Sequence, residues 1–196
     1  MLLQEFADLI ECQKEPVVLF EGKRNIPETY MHKAALLTEM LTQKYPSMIF
    51  RSGNAEGSDS AFIEGIKKVD PSRVQLVAPY VGHRKKAMIG SAQYLYPEDL
   101  STLQEERAIY ETIIATPKNA SLIRNRHKNR TLAAKSKYLI RDTMKVLGTD
   151  KFAMPVAAVF YVDPDDPESG GTGHTIRVCK NFGIPVVYQN SWERWL

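Results

Sequence analysis

Short apolar runs alternate with amphipathic helical patterns along most of the chain, and this alternation allows few fold classes. The apolar runs are typical of buried strands and cover residues 16–20, 48–50, 74–78, 155–162 and 184–188. After a first amphipathic helix that ends near Lys14, helical patterns cover residues 27–44, 58–69, 99–115, 131–147 and 172–181. Strands that alternate with helices form parallel sheets. We therefore predict an α/β protein, a Rossmann-like three-layer sandwich with a mostly parallel sheet flanked by helices.

The length of 196 residues is typical of one domain, and we expect residues 1–196 to form a single unit. The periodic pattern weakens at about 80–130, where basic residues are frequent, and this segment is predicted to be a basic helical insertion or cap. Near the end of the chain, Trp192 and Trp195 are expected to pack a short tail.

Two glycine-bearing loops, at residues 51–59 and 169–175, each follow an apolar run and each begin a helical pattern. A helix amino terminus has unpaired N–H groups and a partial positive charge, so such loops favour phosphate binding. The alternative is that each loop is only a tight turn. The phosphate-binding hypothesis selects the residues of both loops that offer amides, hydroxyls or side-chain polar groups: Ser52, Gly53, Asn54, Gly57, Ser58, Asp59, Gly170, Gly171, Thr172, Gly173, His174 and Thr175.

Single residues of these loops have more than one interpretation. Asp59 is expected either to cap the helix that follows it or to accept a hydrogen bond from a ribose hydroxyl. His174 is expected either to contact the ligand or to be a polar residue at the rim. The first loop matches neither the GxGxxG nor the GxxxxGK[ST] pattern, and no lysine ends it, which argues against an ATPase of the P-loop type.

Composition excludes several classes of protein. The net charge of +3 is too small for a protein that coats DNA. Cys12 and Cys179 are isolated, which indicates reduced thiols, and the histidines have no metal-ligand spacing, so no metal site is predicted. The acidic amphipathic start is unlike a signal peptide, and no apolar run has the length of a membrane span. The sequence thus predicts a cytoplasmic protein.

Two basic clusters, at residues 83–86 and 124–130, are compatible with contacts to a nucleic-acid backbone. Tyr80, Tyr94 and Tyr96 are potential stacking groups for single-stranded DNA. The alternative is that both clusters are solvated surface.

The segments 50–62 and 170–177 together resemble the SLOG superfamily, which includes the DNA-processing protein A and LONELY GUY families. The chain is most similar to the DNA-processing-A-like Rossmann proteins that bacteriophages often carry. The helix segment 141–148 is also similar to that group, so the resemblance spans roughly residues 17–187. It implies a Rossmann-like sheet that binds a nucleotide or a nucleotide-derived ligand, with Arg141 contacting its phosphate. It also implies a location in the host cytoplasm if a phage encodes the protein, and it permits a homodimer.

The chain departs from the family patterns at three positions. Asn54 stands where many relatives have glycine, and Asp142 stands where asparagine is usual. Arg177 occupies the position of the glutamate that the LONELY GUY family uses to hydrolyse the N-glycosidic bond of nucleoside monophosphates. Glu56 and Asp59 are the carboxylates that could replace it.

Three functional hypotheses follow. The first is a nucleotide-binding protein without catalysis, which needs no cofactor beyond its nucleotide ligand. The second is a nucleotide N-glycosidase that uses other carboxylates, and the third is a protein that binds single-stranded DNA.

Overall fold

The computed structural model describes residues 1–196 and contains one six-stranded sheet in which all strands are parallel. The order of strands across the sheet is β4-β3-β2-β1-β5-β6. The strands are β1 (Val17–Gly22), β2 (Ile49–Ser52), β3 (Val74–Val77), β4 (Gln93–Leu95), β5 (Ala157–Tyr161) and β6 (Val186–Tyr188). The predicted α/β class and parallel sheet are confirmed.

Helices cover both faces of the sheet and complete the Rossmann-like three-layer sandwich. They are α1 (Leu3–Glu11), α2 (Glu28–Lys44), α3 (Ser58–Val69), α4 (Thr102–Ala115), α5 (Ala120–Arg124), α6 (Arg130–Leu147), α7 (Gly170–Asn181) and α8 (Gln189–Trp192). None of these helices combines the length and the apolar character needed to cross a bilayer.

Side chains of the central strands alternate between two cores, as the period of two along a strand requires. In β1, Val18 and Phe20 belong to the core formed with α1, α2 and α3, whereas Leu19 belongs to the core on the α7 side. In β5, Ala157 and Val159 face the first core, and Ala158 and Phe160 face the second. A strand buried on both faces reads as a continuous apolar run, which is why β1 and β5 are recognisable in the sequence.

The segment at about 80–130 differs in detail from the predicted basic helical insertion. It contains the edge strand β4, which pairs with β3, as well as the helices α4 and α5. Sequence periodicity misses β4 because the strand has only three residues, of which only Leu95 is buried. The predicted helix at 99–115 begins later, at Thr102, where the Ser101 side chain accepts a hydrogen bond from the Gln104 amide.

The sheet changes its winding direction at β1, which lies between β2 and β5. Chain order runs outward from β1 to β4 and then continues on the other side with β5 and β6. In parallel sheets, ligands bind outside the carboxyl ends of the strands at such a switch point. The fold therefore predicts a ligand site at the loops that follow β1, β2 and β5.

Candidate functional site

A cleft of about 560 Å³ lies at the carboxyl ends of β1 and β5, and both glycine loops contribute to its wall. Ala55 and Asp59 come from the first loop, and residues 169–172 come from the second. Six basic side chains and three carboxylates line the cleft. The surplus of positive charge favours an anionic occupant.

The second glycine loop presents the amino terminus of α7 to the cleft. The first backbone bond of the helix runs from the Gly173 amide to the Ser169 carbonyl oxygen, at 3.0 Å. The amides of Gly170, Gly171 and Thr172 precede it and have no acceptor within the protein. All three residues line the cleft, so three unpaired donors and the positive end of the helix dipole lie at its wall.

Gly170 and Gly173 allow this geometry for different reasons. Gly170 has a φ of +63°, which is in the left-handed region that favours glycine. A Cβ on Gly173 would lie 1.7 Å from the Glu168 carbonyl oxygen, so the helix start packs directly on the preceding turn. The Lys23 side chain donates to the Ser169 carbonyl oxygen at 3.0 Å and fixes the same turn from the β1 side.

The first glycine loop is held together by the carboxylate of Asp59. This buried carboxylate accepts hydrogen bonds from the Gly22 amide at 3.3 Å and from the Gly53 and Ala55 amides at 3.1 Å each. The Gly53 amide is thus occupied inside the protein rather than turned towards a ligand. This arrangement differs from the predicted capping role, because the N-cap of α3 is Gly57, without a side-chain cap bond, and the amides that Asp59 binds all precede the helix.

The other residues predicted in this loop lie behind the cleft wall. Ser58 donates its hydroxyl to the Lys23 carbonyl oxygen at 2.6 Å, and the buried Ser52 hydroxyl has no partner. Asn54 has a φ of +53°, which is in the left-handed region that favours glycine. Gly57 has a φ of +81°, and a Cβ there would lie 2.1 Å from the Arg24 carbonyl oxygen. These four residues shape the loop and do not line the cleft.

Arg141, on α6, is the residue whose environment most directly indicates an anionic ligand. Its side chain is 7% exposed, and its only ion-pair partner is Asp142, with Nη1 3.3 Å from Oδ1. The Nε atom is buried and has no hydrogen-bond partner. Guanidinium donors that are removed from water without acceptors cost free energy. Because Arg141 lines the cleft, an anion bound there would accept hydrogen bonds from its guanidinium.

Glu21, at the end of β1, forms a buried charge network with α6 beneath the cleft. Its carboxylate pairs with the Lys145 ammonium group, and Lys145 Nζ also lies 2.8 Å from Asp142 Oδ1. Burial raises the pKa of Glu21 to about 7, with Lys145 opposing this shift and Asp142 adding to it. Burial also acts to raise the pKa of Asp142, but Arg141 and Lys145 outweigh it and hold that pKa below its usual value. Glu21 is therefore the carboxyl group in the cleft that can gain or lose a proton near neutral pH.

His174 and Thr175 connect α7 to its neighbours and are not part of the cleft wall. The buried His174 ring lies between Thr116 Oγ1, 2.8 Å from Nδ1, and Thr143 Oγ1, 2.9 Å from Nε2. Burial lowers its pKa to about 4, so the ring is neutral at pH 7. Thr175 donates to Glu21 Oε1 at 3.2 Å and thereby links the charge network to the second glycine loop.

Arg177, which also lines the cleft, is held in place by hydrogen bonds to the protein. Its guanidinium donates to the carbonyl oxygens of Ala115 and Glu168 and to the Thr116 hydroxyl, at 2.9, 3.0 and 2.9 Å. Its bonds give it a structural role in joining α7 to the end of α4.

Glu56 lies outside the main cleft, in a side pocket of about 160 Å³ that shares part of the cleft wall. The carboxylate is 79% exposed and lies 3.9 Å from Arg84 Nη2. Neither Glu56 nor Asp59 is placed like Glu21, because one faces solvent and the other binds three amides.

Sequence reasoning missed Glu21, Lys23, Arg24 and Lys145. A signal for the first three exists: a carboxylate, a glycine and two cations directly follow the apolar run of β1, where a parallel sheet binds its ligands. Lys145 follows Arg141 by four residues and Asp142 by three, a spacing that places all three on one side of a helix.

Comparisons with protein-family models, with curated proteins and with solved structures returned no match to this chain.

Proposed function

We propose that the protein binds a nucleotide or a nucleotide-derived ligand in the cleft, with a phosphate group between the amino terminus of α7 and Arg141. The observation that carries this proposal is the Arg141 guanidinium, which is almost fully buried, lines the cleft and lacks a hydrogen-bond partner at Nε. The unpaired amides of Gly170, Gly171 and Thr172, which line the same cleft, support it. The resemblance to the SLOG superfamily is consistent with this ligand class.

The remaining wall of the cleft fits the other parts of a nucleotide. Leu122, Leu139 and Tyr138 offer an apolar and aromatic surface for a base. The exposed Lys118 and Lys135 are placed to meet further negative charge. The volume of about 560 Å³ lies within the range typical of small-molecule sites.

The test is a calorimetric titration with a panel of nucleoside monophosphates and NAD. Arg141→Lys keeps the charge but loses the fork of donors, and we expect it to weaken binding about 10- to 100-fold. Lys118→Ala, an exposed change in the cleft wall, should weaken binding several-fold without affecting folding. Lys128→Ala removes an exposed cation that does not line the cleft and serves as the control. The absence of binding by every member of the panel would reject the proposal.

A nucleotide N-glycosidase is the second candidate, and the position of Glu21 favours it. In this reaction a water oxygen bonds to C1′ of the sugar, the C1′–N bond breaks, and the base leaves with a proton. A carboxyl group with a pKa of about 7 is suited to transfer such a proton at neutral pH. Binding without catalysis remains our first proposal, because the resemblance aligns Arg177 with the glutamate that the LONELY GUY family uses.

Chromatography of the free base separates the two candidates. The unchanged protein should release base from a bound nucleoside monophosphate only if the cleft is catalytic. Glu21→Gln should then abolish release while leaving the dissociation constant within a few-fold. A bound nucleotide that stays intact over long incubation would reject the hydrolase.

A further inference from the structure

The side pocket next to the cleft is lined mainly by cations and by Ala55 and Glu56 of the first glycine loop. Its wall consists of Arg24, Ala55, Tyr138 and Arg141, which it shares with the cleft, together with Glu56, His83 and Arg84. Its volume of about 160 Å³ is below the roughly 300 Å³ of a whole small-molecule site. It therefore suits one group of a ligand whose main part lies in the cleft.

Three arginines meet at this pocket and leave much of their hydrogen-bonding capacity free. Arg24 is exposed and has no ion-pair partner. Arg141 has an unpartnered buried Nε, as described above. Arg84 donates through Nη1 to the Asn54 carbonyl oxygen at 3.0 Å and to Ser60 Oγ at 3.2 Å, and its Nη2 has only the distant, exposed Glu56 carboxylate at 3.9 Å.

His83 lies among the same positive charges. Its ring packs edge-on against Tyr80 and Tyr138, and its Nδ1 is buried without a hydrogen-bond partner. Burial is the largest cause that lowers the pKa of His83, followed by the charges of Arg141, Arg84 and Arg24. Glu56 is the carboxylate in the pocket wall, and it faces solvent.

We propose that this side pocket binds a second phosphate group of the ligand, so that the protein prefers nucleotides with two phosphate groups over nucleoside monophosphates. The proposal rests on the proposed function, because the first phosphate is the one placed at α7. Tyr138 lies in the wall between the two cavities, with its ring 5.8 Å from the Arg141 guanidinium. The two phosphates are either adjacent, as in a nucleoside diphosphate, or separated by the nucleoside, as in a 3′,5′-bisphosphate or a 5′-phosphorylated dinucleotide.

Calorimetric titrations with AMP, ADP, adenosine 3′,5′-bisphosphate and 5′-phosphorylated diadenosine test the proposal. At least one of the two-phosphate ligands should bind 10-fold or more tightly than AMP, as expected for a new charge-assisted contact. Comparing ADP with the other two tells whether the phosphates are adjacent or separated. Arg84→Gln keeps a polar side chain but removes the charge, and it should reduce the gain to less than about 3-fold without changing AMP affinity. Lys86→Gln, an exposed neighbour outside the pocket wall, should leave the gain intact.

A second readout uses the unchanged protein. The phosphate should raise the pKa of His83, measured by NMR of the ring protons, by about one unit or more, and AMP should raise it by less. Equal affinity for AMP and for all two-phosphate ligands, or a His83 pKa that does not respond to them, would overturn this inference and leave the proposed function standing. Failure of every nucleotide to bind would overturn both.

Discussion

Gly53 and Arg141 pack so closely that no side chain fits between them: a Cβ on residue 53 would lie 1.8 Å from Arg141 Nη1. The close approach is the reason for the glycine. Backbone conformation does not require it, because the φ of Gly53 lies outside the left-handed region. The first glycine loop thus acts on the cleft indirectly, by leaving space for a guanidinium.

We predict that Gly53→Ala displaces the Arg141 guanidinium. Nucleotide affinity should fall about 10-fold or more, and the free energy of unfolding should fall by about 1–3 kcal/mol. Calorimetry and denaturant unfolding measure the two effects. Gly90→Ala is the matched control, since a Cβ there meets no atom within 4 Å. Unchanged nucleotide affinity in Gly53→Ala would show that Arg141 does not bind the ligand.

Glu21 should make the folded state less stable as pH rises. Its pKa is raised from 4.5 to about 7 on folding, so the folded state binds the extra proton between these values, and stability falls across this window and levels off above it. In Glu21→Gln this contribution is absent, and the stability difference, variant minus unchanged protein, should increase by about 1–3 kcal/mol between pH 4.5 and pH 7. Denaturant unfolding at a series of pH values measures it, with the exposed Glu11→Gln as control. A difference that is constant with pH would contradict the assignment.

His174 should have the opposite effect. Folding lowers its pKa from 6.5 to about 4, so the unfolded state binds the extra proton, and the stability present above pH 6.5 is lost as pH falls towards 4. His174→Gln removes this dependence and should lose less stability than the unchanged protein between pH 6.5 and pH 5. NMR titration of the ring checks the pKa directly, and His32→Gln, on the exposed side of α2, is the control. A His174 pKa near 6.5 in the folded protein would refute the neutral, structural role.

Gly171 and Gly173 of the second loop should differ in how much a substitution by alanine destabilises the protein. Gly173→Ala places a Cβ against the backbone of Glu168 and should lower the free energy of unfolding by about 1–3 kcal/mol. In Gly171→Ala the nearest atom to the new Cβ is Asp142 Oδ2, at 3.1 Å, so folding should be affected less. Because the methyl group lies at the cleft, Gly171→Ala should reduce nucleotide affinity while changing the free energy of unfolding little. The reverse order of effects on stability would contradict the packing described for α7.

Single-stranded DNA binding, where it occurs, should depend on salt through the basic segment 124–130. Combined replacement of Arg124, Lys128 and Arg130 by glutamine should reduce the slope of log affinity against log salt by about 2. Tyr94 and Tyr96 stack on each other, with ring centroids 6.1 Å apart, so their alanine variants should change DNA affinity little. Fluorescence anisotropy measures both. No binding at low salt, or a flat salt response, would eliminate this hypothesis.

The sequence predicts those features that repeat locally. Val17–Gly22 and Ala157–Tyr161 are buried on both faces and therefore appear as apolar runs, and α3 has the predicted bounds, Ser58–Val69. Strand β4 depends on pairing with β3 and carries almost no local signal. The same limit applies to the site. Whether the Asp59 carboxylate binds a ribose or three amides depends on where residues 22, 53 and 55 meet, which only the assembled sheet decides.

Since Asp59 joins the end of β1 to the turn after β2, two neighbouring crossovers are fastened to each other by one carboxylate. The loops at this edge of the sheet are thereby held in place before a ligand binds, so little backbone entropy is lost on binding. Capture should then proceed in one kinetic phase, at a rate set by diffusion and charge and without a slow loop rearrangement.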